Sequence, residues 1–147
     1  VKEVRFRAGS AVFIGIAAGA LSGEIAAPLA WFLTVMASQL IDHLIALPIR
    51  RGGSEEPPLS MKVIYALSIA CTAALFSSIS IHLWFVGGEA GKVFAIMVPT
   101  GAVLAMSIRF GGIRRLLIAG WAPHALILLG IPLFSAWVTP QQDLMQM

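Results

Sequence analysis

Charge is scarce in this sequence. Asp, Glu, Lys and Arg make up 12% of its 147 residues, half the roughly 25% of an ordinary soluble domain. Hydrophobic residues reach 59% and the mean hydropathy is +0.90. Such a chain cannot cover its surface with polar groups, and a lipid bilayer is its natural solvent. A single cysteine, Cys71, excludes an internal disulfide and a cysteine metal cluster. No phosphate-binding Gly-x-x-x-x-Gly-Lys-Ser/Thr loop, His-Glu-x-x-His or Gly-x-Ser-x-Gly is present. These absences leave no catalytic residues to assign and imply no cofactor. The pI near 9.6 does not point to nucleic acid, because the basic residues lie in short clusters between apolar runs rather than in one patch. The first residue is Val1 rather than Met, which suggests a piece of a longer chain.

Five apolar runs are present, at 8–23, 26–49, 63–88, 93–108 and 116–138. The expected fold is therefore an all-α polytopic transmembrane bundle forming one domain over residues 1–147. The first run is short against the ~20 residues that cross a bilayer core, and snorkelling of Arg5 and Arg7 would extend it. Its basic start and Ala20-Leu21-Ser22 also resemble a signal peptide, but a second apolar run follows at once. Gly15, Gly19 and Gly23 recur every four residues and form a candidate helix-packing face, suited to intramolecular packing or a dimer seam. Trp31 and Phe32 stand where an aromatic belt would. Pro99 falls mid-run and predicts a kink, with Thr100 a candidate partner for the freed carbonyl. The third run is the richest in hydroxyls, with Ser68, Thr72, Ser77, Ser78 and Ser80.

The loops 50–62 and 109–115 carry most of the basic residues. Threading the five runs places Lys2, Arg5, Arg7, Arg50, Arg51, Lys62, Arg109, Arg114 and Arg115 on one side, and only Lys92 on the other. The positive-inside rule then puts the N-terminus in the cytoplasm. Five spans leave the C-terminus outside, so a sixth span is expected beyond Met147. Ser22-Gly23-Glu24 and Gly87-Gly88-Glu89 each precede an Arg-Arg pair by about 26 residues, a weak repeat that suggests stacked hairpins.

The candidate functional cluster is Ser38, Gln39, Asp42 and His43, with His124. Asp42 lies about 12 Å of helix before Arg50, within the inner half of the expected membrane core. A carboxylate there must be protonated, paired or wet. The i,i+4 pairs Ser38/Asp42 and Gln39/His43 share one broad face. They read either as a satisfied interhelical hydrogen-bond node or as a proton- or ligand-responsive cluster. Of the three histidines, His43 and His124 fall at compatible depths and His82 lies towards the other side. Their spacing carries no metal-site signature. Glu89 and Lys92 read as a solvated pair.

Several short motifs resemble one family. Leu29-Ala-Trp31 with Ser38-Gln-Leu-Ile-Asp42, Gly87-Gly88, Pro123-His-Ala-Leu and Ile131-Pro132-Leu resemble the N-terminal multi-pass membrane region of bacterial sensor and hybrid histidine kinases of alphaproteobacterial type. The resemblance implies an inner-membrane sensory and anchoring domain, homodimeric through its parent, with kinase residues elsewhere. The alternatives are a small transporter or channel subunit, using Asp42, His43 and the proline-broken helices, and a structural assembly subunit.

Overall fold

The computed structural model describes the backbone of residues 2–51, 58–110 and 112–145, and the side chains of 7–49, 58–110 and 112–137. Among these residues the chain is all helical, with five helices and no strand. They are α1 (Lys2–Ser22), α2 (Ala26–Arg51), α3 (Leu59–Val86), α4 (Gly88–Phe110) and α5 (Arg114–Met145). Ala26–Ile49 of α2, all of α3 and α4, and Arg114–Trp137 of α5 are long and apolar enough to cross a membrane, whereas the apolar part of α1, Arg7–Ser22, is shorter.

The five expected runs correspond to five helices, but most of their limits move outward into polar sequence. Backbone groups at a helix end still gain partners when the next residue is polar, so hydropathy underestimates helix length. The loop expected at 50–62 contracts, because α2 reaches Arg51 and α3 begins at Leu59. The fourth helix starts at Gly88 rather than 93, which also ends the third run at Val86 rather than 88. The loop at 109–115 contracts between Phe110 and Arg114, and α5 runs through Pro140 to Met145. In the weak repeat, the first Arg-Arg closes α2 while the second opens α5.

Side-chain contacts set the helix directions. Trp31 reaches Leu75 and Asp42 reaches Ser68, so α2 and α3 are antiparallel. Ile69 lies against Gly120, Ser77 against His124 and Phe85 against Phe134, so α3 and α5 run parallel. Among the described residues α3 touches all four other helices, α4 touches α1, α3 and α5, and α2 has no contact with α5. α1 packs on α2, α3 and α4.

The core is at one end, where Ala18, Trp31, Val35, Ile79, Leu83 and Ala95 meet. There α3 turns into α4 through Gly87 and Gly88. The backbone of Gly88 is left-handed, φ +62°, which favours glycine. A Cβ on Gly91 would lie 2.7 Å from the Leu83 carbonyl oxygen, so only glycine allows this approach. The outer surface is densely apolar, including Ile25, Leu126, Leu133 and Ile108, all more than two-thirds exposed. An apolar surface on this scale needs a nonpolar covering.

Candidate functional site

The buried polar side chains converge on α3. Among the described residues, Thr72, Ser77 and Ser80 belong to it, and the other two buried polar residues, Asp42 and His124, bond to it. Asp42 is 6% exposed and His124 is fully buried. Both come from helices that do not touch each other, so α3 separates them.

Asp42 accepts a hydrogen bond at Oδ1 from the Ser68 hydroxyl. Its Oδ2 is buried without a partner. Trp31, one face of the same helix, donates from Nε1 to the Leu75 carbonyl at 2.8 Å. Trp31 is thus a buried core residue, correcting its reading as part of an aromatic belt. The indole fills the packed end of the bundle and its polar edge finds a backbone acceptor. Phe76 lies beside it, ring centroids 5.9 Å apart, and the Phe76 and His124 rings stand nearly perpendicular, centroids 6.5 Å apart.

His124 is delivered by Gly120. Gly120 is buried one turn earlier, with space for a Cβ limited by Met106 at 3.2 Å and Ile69 at 3.7 Å. Its lack of a side chain lets α5 approach α3 and α4. His124, four residues on, then falls on the same helix face. Its Nδ1 is hydrogen-bonded with the Ser77 hydroxyl, and its Nε2 is buried with no partner.

The expected cluster on α2 divides. Asp42 points inward, while His43 is exposed on the outer surface. Adjacent residues diverge by about 100° on a helix, and this angle is enough to separate them. The Ser38 hydroxyl bonds its own helix at the Val35 carbonyl, 2.9 Å. Gln39 lines a half-open cleft. His43 and His124 do not meet, because α2 and α5 lie on different sides of α3. Ser68 and Ser77, the partners that complete the two nodes, were visible only as members of a hydroxyl-rich run.

Gly15 faces Trp31 and Phe32 of α2, with 3.8 Å to a built Cβ, and Gly19 faces the Glu24 carbonyl. Gly23 is in the turn with φ +70°. The glycine face thus accompanies the α1–α2 hairpin, and it also lines a groove of about 650 Å³ with Ile16 and Leu29. Thr100 bonds the Ile96 carbonyl at 2.8 Å, its own i−4 position, and not the Ala95 carbonyl that Pro99 frees. At the core end, His82 Nε2 lies 3.9 Å from Glu24 Oε2, and Lys92 pairs with Glu89 at 2.7 Å on the surface. No group of three or more His, Cys, Asp or Glu capable of holding a metal exists among the described residues.

The cleft, open on one side, holds about 640 Å³ between α1, α3 and α4. α4 lines it with Phe94, Met97, Val98, Gly101, Ala102 and Ala105, positions three and four apart on one helix face. Gln39 and Thr72 contribute polar groups, and His124 closes it from α5. Arg7 and Ser10 line it from α1, near the end of the bundle that carries Arg109 and Arg114. Comparison of the chain with family models, with curated proteins and with solved structures finds no match in any of the three.

Proposed function

We propose that the chain is a membrane-embedded sensory and anchoring domain of a bacterial signal-transduction protein, in the manner of the sensor histidine kinases its motifs resemble. Its five helices cross the inner membrane with the N-terminus in the cytoplasm, and the output module belongs to another part of the parent protein. The exposed apolar surface and the basic end of the bundle support the membrane placement. The sensory reading is carried by one observation: α3 holds α2 and α5 through isolated side-chain nodes, each with an orphaned buried atom, beside a half-open cleft. A ligand or proton that satisfies an orphaned atom favours one helix arrangement over another, and the displacement of α3 against α5 carries the signal.

The test uses the complete parent protein in inverted membrane vesicles. Phosphoryl incorporation from ATP is measured for the wild type and Ser77→Ala at equal protein levels. The expected result is incorporation that changes several-fold in the variant. A complete protein with no signalling module, or with output indifferent to Ser77, overturns the reading. The cleft favours one alternative, a small transporter or channel subunit. Uptake into proteoliposomes that is lost in Asp42→Asn would establish it.

A further inference from the structure

We propose that the cleft is a binding site for an uncharged, membrane-soluble molecule with an elongated apolar body and one hydroxyl or carbonyl oxygen. Three independent observations lead to this class. The first is shape. The α4 wall runs from Phe94 to Met106, roughly 18 Å at 1.5 Å per residue, so the cleft is a slot suited to a chain-like or extended molecule. The second is unused space. Gly9 and Gly101 line the slot on its exposed side, and a Cβ built on either meets nothing within 4 Å. Neither glycine is required there by close packing, unlike Gly91, and both keep the slot open.

The third is chemical. His124 lines the slot, is fully buried, and has an Nε2 without a partner while Ser77 holds Nδ1. A buried polar atom without a hydrogen bond is costly, so an occupant that supplies one is selected over a hydrocarbon chain that cannot. A ligand hydroxyl meets either imidazole tautomer, since it both donates and accepts. A carbonyl oxygen meets the tautomer in which Ser77 donates to Nδ1 and Nε2 carries the hydrogen. The remaining walls are mainly apolar, Phe13, Phe94 and Met97 among them; Gln39 and Thr72 add polar groups, and Arg7 and Ser10, on the α1 side, already have partners. Along Phe13, Phe94 and Met97 a lone water finds few of the two to four partners it needs, and a charged group is disfavoured.

The inference rests on the sensory membrane reading above, and its test is separate. The chain, labelled with ¹⁵N-histidine in lipid nanodiscs, is titrated with 1-dodecanol, and with dodecane as the hydrocarbon control. The expected result is a saturable shift of the His124 Nε2 resonance with dodecanol and none with dodecane. Gly101→Leu, which fills the slot without touching the Ser77–His124 bond, weakens dodecanol binding at least tenfold. Circular dichroism confirms that the variant stays helical. Equal shifts with both probes, a shift that rises without saturating, or no shift overturns the proposal; so does unchanged binding in a helical Gly101→Leu. If Gly101→Leu unfolds, the dodecanol–dodecane comparison on the wild type decides alone. Failure here leaves phosphoryl output and its Ser77 dependence standing. Failure of the output assay leaves the binding result standing.

Discussion

At the residue scale, the unusual feature is a carboxyl group whose one visible partner is a serine. Ser68 satisfies Oδ1 of Asp42, and Oδ2 is left without a bond. Removing one member of such a pair strands the other, whereas removing both leaves an apolar contact. Ser68→Ala should therefore lower stability by about 1–2 kcal/mol. Adding Asp42→Leu to it should recover most of that loss. Thermal unfolding of the two single variants and the double variant in the same detergent measures the coupling. Strictly additive effects would show that the pair carries no interaction. Asp42 was legible in the sequence as a polar residue in an apolar run. Ser68 was not singled out, because a hydroxyl inside a helix usually bonds its own backbone, as Ser38 and Thr34 do here.

At the scale of the element, glycines differ by what surrounds them. Gly91 faces the Leu83 carbonyl at 2.7 Å, so Gly91→Ala must push α3 and α4 apart. The expected cost is about 1–3 kcal/mol. Gly101 is in the same helix, α4, with open space at its Cβ. Gly101→Ala should be neutral or stabilising by up to ~1 kcal/mol, because alanine loses less backbone freedom in a helix. Melting temperatures of the two variants should move in opposite directions or by clearly unequal amounts. Equal losses would contradict the packing described. Sequence spacing marked Gly15, Gly19 and Gly23 because they repeat. It could not mark Gly91, Gly101 or Gly120, whose roles depend on neighbours from other parts of the chain.

For the whole molecule, helix directions gather the basic residues. Antiparallel α2 and α3 and parallel α3 and α5 place Lys62, Arg109, Arg114 and Arg115 at one end, and Glu24, His82, Glu89 and Lys92 at the other. If that basic end is cytoplasmic, Ala90→Cys in a Cys71→Ser background reacts with an impermeant maleimide added to intact cells. Ser60→Cys reacts only after the membrane is opened. Both positions are exposed on the structure. The reverse pattern would invert the topology, and labelling of both from outside would remove the membrane placement.

Helical class, the number of helices and the clustering of basic residues were determined by the sequence alone. Each follows from local hydropathy and charge, which act over one helix or one turn. The choice of partners was decided by the tertiary structure. Asp42 and His43 are neighbours in sequence, yet one is buried against Ser68 and the other is exposed. His124 meets Ser77 rather than His43, because α3 passes between α2 and α5. Hydrogen bonds and cavities depend on which helix faces meet, and a sequence pattern within one helix carries no information about its neighbour's rotation.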